Sequence, residues 1–130
     1  MTYSPNPKEV EAMFKRKGPE RYKYTLRRIL DCEQVWSLRN SEGWALFGGN
    51  NVSAAMPIWP AEQFAKLCAI EDFSDCVPEM IPLRSFIEEW LSKLDNDNVL
   101  IAVLPDTSSN AVVVDARRFG TDLSNEVDRI

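Results

Sequence analysis

The residue types that most often carry chemistry are poorly represented in this chain. It contains no histidine, which removes the commonest general base and the commonest side-chain metal ligand. A serine or cysteine nucleophile would need Lys, Asp or Glu as its activator, and neither a G-x-S-x-G nor an S-x-x-K motif occurs. The run Gly48-Gly49-Asn50-Asn51 matches neither a P-loop nor a dinucleotide fingerprint, so we interpret it as a turn. The sequence therefore predicts no catalytic residue and no cofactor.

Carboxylates are the remaining groups that can act as acid and base or bind a divalent cation. The adjacent pair Glu88-Glu89 diverges by about 100° on a helix and does not form a paired site. The run Asp95-Asn96-Asp97-Asn98 has the ligand types of a calcium loop but lacks the downstream Gly and Glu of the EF-hand, so we interpret it as a polar turn and predict no metal site. Loop positions are expected for Asp31, Glu33 and Asp106, which leaves a carboxylate-dependent enzyme or small-ligand-binding protein as an alternative.

The four tryptophans are the other candidates for function. Trp36 and Trp90 lie on the apolar faces of a predicted strand and a predicted helix, so we expect them in the core. Trp59 precedes Pro60 at a strand-to-helix corner, where a large ring either locks the corner or stays half exposed as an interface anchor. We therefore name Trp59, Pro60 and Trp44 as the candidate binding residues.

Composition limits the compartment and the class of protein. Three cysteines, Cys32, Cys68 and Cys76, form an odd set without C-x-x-C spacing, and we expect free thiols in a reducing compartment. No stretch approaches the roughly 18 consecutive apolar residues of a membrane span, and the first residues have no apolar signal-peptide core. We expect a cytoplasmic protein that has no membrane partner.

Charge is distributed unevenly along the chain. Residues 1–31 hold eight Lys or Arg against four Asp or Glu, whereas the remainder holds seven against sixteen, for a net charge of −5. A basic helical arm is a feature of nucleic-acid binders, but the acidic remainder would repel phosphate and no aromatic platform accompanies the arm. Nucleic-acid binding through these helices is a second, disfavoured alternative.

The elements that must position these residues begin with a basic helical arm over residues 1–32. Asn6-Pro7 supplies an N-cap and a first helical residue for a short helix that ends near Lys17. Gly18-Pro19 interrupts this helix and starts a second one, which runs to about Cys32.

A β-meander is predicted over residues 35–58. Val35–Arg39 and Trp44–Phe47 flank a run of turn-forming residues and should pair as a hairpin. The third strand, residues 53–58, contains Pro57, which cannot donate a ladder hydrogen bond and favours an edge position or a bulge.

A helix pair follows over residues 60–94. Pro60 begins the first helix, and Phe64, Leu67 and Cys68 share the face that we expect to be buried. A loop over residues 71–78 separates it from the second helix.

The second helix opens at Pro82, and a β-hairpin over residues 99–114 and a terminal helix over 115–130 complete the chain. The apolar run Val99–Leu104 suits a strand that is buried on both faces, and Asp115 can cap the last helix. The second helix and the terminal helix each carry an apolar stripe, formed by Phe86, Ile87, Trp90, Leu91 and Leu94 in the former and by Phe119, Leu123, Val127 and Ile130 in the latter.

We therefore predict a single domain over residues 1–130 with the element order α-α-β-β-β-α-α-β-β-α. The fold class is α+β, with one mainly antiparallel sheet of about five strands and helices packed on it.

Six sequence blocks in this order resemble the bacterial family known as domain of unknown function 2750. They are Arg21–Tyr24, Val35–Leu38, Glu42–Leu46, Met56–Pro60, Phe86–Leu91 and Leu100–Pro105. The similarity extends over about residues 19–128, and it implies a small bacterial cytoplasmic protein without implying an activity or catalytic residues.

A weaker pattern is similar to the amino-terminal half of the serine-sensitivity and type III secretion enhancer proteins. It consists of a strand, a Pro-x-Trp corner, two helices, a strand that ends in proline, a second strand and a helix, and it favours a protein-binding adaptor over an enzyme. We accordingly expect a non-catalytic interaction domain whose partner is another protein, with a homodimer as a further possibility.

Overall fold

The computed structural model of the chain describes residues 5–48 and 54–128. The predicted turn at Gly48-Gly49-Asn50-Asn51 and the predicted helix end at Ile130 lie partly or wholly outside these residues. The α-helices are α1 (Pro7–Phe14), α2 (Gly18–Cys32), α3 (Glu62–Leu67), α4 (Leu83–Ser85), α5 (Leu91–Asn96) and α6 (Ala116–Asp128). The strands are β1 (Gln34–Asn40), β2 (Gly43–Trp44), β3 (Ala55–Ile58), β4 (Val77–Pro82), β5 (Leu100–Val103) and β6 (Val112–Val114).

The α+β class is confirmed, but the strands of the described residues form two small sheets instead of the single sheet that we predicted. Their orders are β2-β1-β4 and β3-β5-β6. Within these ranges, one antiparallel bridge between Trp36 and Trp59 joins the two sheets. The predicted hairpins β1-β2 and β5-β6 are present and antiparallel. The predicted element order is not confirmed, because β4 is an additional strand.

Strand β4 begins in the predicted loop and ends at Pro82, where we had predicted the start of a helix. It pairs antiparallel with β1 along six residue pairs, and the pair Val35 and Ile81 is buried. The sequence did not predict this strand because it contains prolines at positions 78 and 82, and proline argues against a paired strand. The pairing with β1, which is a tertiary contact, stabilises it.

The two prolines lie on the open edge of β4. The backbone N–H and C=O of Trp36 both form hydrogen bonds with Trp59, so the backbone polar groups of Trp36 point away from β4. Those of Leu38 point in the same direction. In the pairing with β1, Trp36 lies opposite Met80 and Leu38 lies opposite Pro78. The backbone groups of Pro78, Met80 and Pro82 therefore point away from β1, towards the open edge of β4. Met80 is therefore the only one of these outward-facing residues of β4 that carries an N–H, which blunts the edge against pairing with another strand.

Strand β3 departs from the predicted meander. Its main partner is β5, with which it pairs in parallel, and the antiparallel contact with the preceding hairpin is reduced to the bridge between Phe47 and Ala55 and the bridge between Trp36 and Trp59, which directly follows β3. Pro57 lies on the terminal strand of its sheet, as expected, and its carbonyl accepts a hydrogen bond from Ser37 Oγ at 2.6 Å. Strand β3 is apolar on both faces, so it buries more apolar surface beside β5, which is equally apolar, than it would at the end of a polar hairpin.

The helices match the sequence more closely than the sheets do. Asn6 caps α1 by accepting from the Glu9 N–H, and Asp115 caps α6 by accepting from the Arg118 N–H. The predicted helix after Pro82 is present, but its central turn, Phe86–Trp90, is a π-helix that joins α4 to α5. Val127, which we had placed on the buried stripe of the last helix, is exposed.

The core lies between the sheets and the helices α2, α3 and α6. Phe119 of α6 is fully buried, and its ring packs edge-on against Tyr22 of α2 and Phe86 of the π-helical turn. None of the helices in the described ranges is long and apolar enough to cross a membrane.

Candidate binding groove

Two of the three residues that we named from the sequence are sealed inside the protein. Trp59 is fully buried, and Pro60 beside it is buried as well. The indole N–H of Trp59 donates to the carbonyl oxygen of Pro105 at 2.9 Å. In this structure neither residue touches solvent enough to meet a partner, and the corner instead holds α3 against the turn after β5.

A second donor reaches the same carbonyl. The Sγ of Cys68, at the end of α3, lies 3.4 Å from the oxygen of Pro105. Burial raises the pKa of the Cys68 thiol to about 12, with the nearby Asp106 carboxylate as a smaller cause. The thiol is therefore protonated at neutral pH and serves as a structural donor, since a nucleophilic cysteine must be a thiolate.

The third named residue, Trp44, is half-buried and lies on the other sheet. Its ring packs edge-on against Trp90 with centroids 5.0 Å apart, and the Arg39 guanidinium lies 5.3 Å from its ring centre. Arg39 also pairs with Glu79 at 3.0 Å. Trp44 is thus a packed surface aromatic, and the structure does not bring it together with Trp59 in one cavity.

A concave surface of the described residues lies instead between α1, α3 and the loop that follows β5. We call it the apolar groove, and its volume is about 690 Å³. Such a volume falls within the range of about 300–1,000 Å³ that is typical of ligand sites. Its apolar lining consists of Pro5, Pro7, Val10, Phe14 and Leu67.

Helix α1 supplies one wall of the groove because of its sequence spacing. Val10 and Phe14 are four residues apart and therefore share one face of the helix. Phe14 packs edge-on against Phe64 of α3, with ring centroids 5.5 Å apart. This contact joins the two helices, and the buried Val10 and the partly buried Phe14 line the inner side of the groove.

Helix α3 supplies the opposite wall. Phe64 is fully buried, whereas Gln63, Lys66 and Leu67 line the groove. We had expected Leu67 on the buried face with Phe64, but its exposed fraction is 52%. A helix of six residues has room for one buried stripe, and Phe64 and Ala65 occupy it.

The loop after β5 closes one end of the groove through Asp106 and Thr107. The Asp106 carboxylate accepts hydrogen bonds from the backbone N–H groups of Ser108 and Asn110, at 2.8 and 3.0 Å. These bonds keep the loop in one conformation, so Asp106 has a structural role.

A smaller hollow adjoins the groove at Asp106 and Thr107, which line both. We call it the acidic hollow, because its charged lining consists of Glu71, Asp72 and Asp106 and includes no Lys or Arg. Its remaining lining is largely apolar and includes Leu46, Phe47, Ile70 and Phe73.

The other carboxylates that we named do not join this region. Asp31 pairs with Arg28 at 3.6 Å and lines a separate depression beside Tyr24. Glu33 is exposed and ends α2 in a left-handed conformation. Asp31 and Asp106 therefore line different cavities. Among the described residues no cluster of three His, Cys, Asp or Glu side chains is arranged to hold a metal ion.

Much of the basic charge of the amino-terminal helices is used within the protein. Arg21 is buried and donates to the backbone carbonyls of Arg16 and Asn110. Other members of the basic arm form ion pairs: Lys15 with Glu11, Arg16 with Glu20, Arg27 with Glu126 and Arg28 with Asp31. These pairs weaken the positive field that a nucleic-acid surface needs.

The fold and the groove together define a small α+β domain with an apolar concave surface. The profile of one family, described as "Protein of unknown function (DUF2750)", matches residues 22–123. The chain belongs to this family, as the sequence blocks indicated. No curated protein and no solved structure matches the chain, so the weaker resemblance to the secretion enhancers stays a prediction.

The region that matches the family includes only part of the groove. Helix α3, the loop at Asp106 and the acidic hollow lie within residues 22–123, whereas α1 precedes them.

The sequence did not predict the groove, because Val10, Phe14 and Leu67 have the types and spacing of ordinary core residues. Their only distinguishing signal was that both helices are short, which leaves part of each apolar face without a partner.

Proposed function

We propose that this protein is a non-catalytic interaction domain that binds a segment of another protein in the apolar groove. The single observation that carries the proposal is Leu67, a large apolar side chain more than half exposed on the wall of a concave apolar surface. Exposed apolar residues that line a concavity are a mark of binding sites, whereas isolated ones on a convex surface are ordinary.

The contacts that hold the walls and the end of the groove support this function. Its walls are held by the Phe14–Phe64 contact, and its end is held by Asp106 and by the two donors to the Pro105 carbonyl. A preformed surface loses little conformational freedom on binding, so more of the interaction free energy contributes to affinity.

The alternatives receive less support. Of the carboxylates that we named for an enzyme or a small-ligand site, Asp31 and Asp106 line different cavities, and the Asp106 carboxylate is engaged by the backbone of its own loop. Nucleic-acid binding is disfavoured by the intramolecular ion pairs of the basic arm. We further propose a cytoplasmic location, because Cys32, Cys68 and Cys76 are all free thiols.

A photo-crosslinking experiment tests the proposed function. A benzophenone amino acid replaces Leu67 in one variant and Ile87 in a matched control, which is similarly exposed at 45% but lines neither the groove nor the hollow. We expect irradiation of host cells to give a discrete product from position 67 and none from position 87. Identical products from both positions, or none from position 67, would contradict the proposal, and a product of twice the chain mass would identify a second copy as the partner.

A further inference from the structure

We infer that the segment bound in the apolar groove is an amphipathic peptide of a partner protein that carries a Lys or Arg at the end lying over the acidic hollow. This inference rests on the proposed function and adds the chemistry of the partner to it.

Continuity of the two concavities is the first step. Asp106 and Thr107 line both the apolar groove and the acidic hollow. A segment that lies across these two residues therefore contacts both the groove and the hollow. The surface accordingly extends from Val10 and Phe14 at one end to Leu46 and Ile70 at the other.

The apolar character of the surface continues into the hollow. Leu46 and Ile70 are exposed by 47% and 41%. Beside them, Phe47 and Phe73 are partly buried, with ring centroids 5.1 Å apart. Together with Leu67, these residues form an extended apolar strip, and the partner must supply a matching series of apolar side chains.

Charge distinguishes the two ends of this strip. In the groove, the Glu11 and Lys15 side chains pair with each other at 3.2 Å, and Lys66 and Asp106 contribute one charge of each sign, so the charges of the groove lining balance. The hollow has three carboxylates in its lining and no cation, and neither Glu71 nor Asp72 forms an ion pair with any described residue.

Charge complementarity thus selects the partner. An apolar segment that ended in an acidic residue over Glu71 and Asp72 would place like charges together, which opposes binding. A Lys or Arg at that position neutralises them, and its aliphatic stem can cover Leu46 or Ile70. The net charge of −5 on the whole chain further favours the approach of a basic partner.

The inference can be tested with the purified full-length chain and a random twelve-residue peptide library displayed on phage. We expect the selected peptides to combine at least two large apolar residues with a Lys or Arg at one end. The Leu67→Asp variant should lose these peptides, whereas Ile87→Asp, a charge added to an equally exposed position outside the surface, should retain them.

The affinity of one selected synthetic peptide then isolates the role of the hollow. The double variant Glu71→Gln/Asp72→Asn should weaken its binding by about 4- to 25-fold, since each exposed ion pair contributes about two- to fivefold. The control Glu89→Gln/Asp97→Asn also removes two exposed carboxylates, but these lie outside both concavities, and it should leave the affinity within about twofold because distant exposed charges are screened.

The possible results separate the inference from the proposed function. Peptides that require Leu67 but lack a basic residue, or that bind the hollow double variant as tightly as the parent chain, would overturn the inference and leave the interaction domain standing. A selection that yields no peptide dependent on Leu67 would overturn the proposed function and the inference with it. Circular dichroism of each variant ensures that a lost interaction does not reflect unfolding.

Discussion

The indole N–H of Trp59 and the carbonyl oxygen of Pro105 form a buried hydrogen bond of 2.9 Å between residues 46 positions apart. This bond joins the corner before α3 to the loop after β5, and α3 and this loop both line the apolar groove. The position of the groove therefore depends on residues that do not themselves line it.

Removing this donor should destabilise the protein without unfolding it. We expect Trp59→Phe to lower the free energy of unfolding by about 1–3 kcal/mol, because it removes a buried hydrogen bond and part of a buried ring. Urea denaturation followed by circular dichroism measures the loss. Trp44→Phe changes a half-buried tryptophan and should cost about 1 kcal/mol or less. Equal losses in the two variants would contradict the special role of the Trp59–Pro105 bond.

Two neighbouring positions on α3 should separate stability from binding. Phe64→Ala removes a fully buried ring and should destabilise the protein by about 3–5 kcal/mol. Leu67→Ala removes an exposed side chain and should change stability by less than about 0.5 kcal/mol while it weakens binding in the groove. Thermal unfolding, together with the photo-crosslink or the peptide affinity, measures both effects. A Leu67→Ala variant with full binding would argue against the groove as the interaction surface.

The proline positions in β4 predict a change in self-association. Pro78→Thr/Pro82→Thr restores two N–H donors on the open edge of the sheet, and we expect association that increases with protein concentration. Sedimentation velocity over a range of concentrations detects it. Val77→Thr is the matched control, because residue 77 alternates with these positions and its backbone faces β1. If the double variant sediments like the control at every concentration, the prolines do not protect this edge.

The Cys68 thiol should make stability depend on pH in the alkaline range. Its pKa is raised to about 12 in the folded protein, from an ordinary value near 9.0, so folding favours the protonated form. The resulting stabilisation is complete below pH 9 and is lost as the pH rises towards 12, with a slope of at most about 1.4 kcal/mol per pH unit.

The Cys68→Ala variant isolates this contribution. We expect the difference in unfolding free energy between the parent and the variant to shrink as the pH rises from 8 to 10.5. Urea denaturation at several pH values measures the difference, and the comparison cancels the titration of other groups. A difference that stays constant over this range would show that the thiol titrates normally.

Local features of this protein were predictable from local sequence. Asn6 and Asp115 cap α1 and α6 because an N-cap needs only a short polar side chain and the backbone N–H groups that follow it. The hairpin at Asn40–Gly43 follows from turn chemistry, and the Asn40 side chain accepts from the backbone of the turn. The absence of histidine from the sequence excludes mechanisms that need an imidazole base or ligand from this chain.

Tertiary structure decided the rest, because burial depends on which distant surfaces meet. The buried indole N–H of Trp59 donates to a carbonyl 46 residues away, and β4 is a strand only because β1 pairs with it. Phe64 and Leu67 lie one helical turn apart with similar apolar character, yet the packing of α1 on α3 buries the first and exposes the second. The periodicity of a helix indicates that it has an apolar face, but it does not indicate how much of that face the neighbouring elements will cover. The apolar groove lies where the neighbours of α1 and α3 leave these faces uncovered.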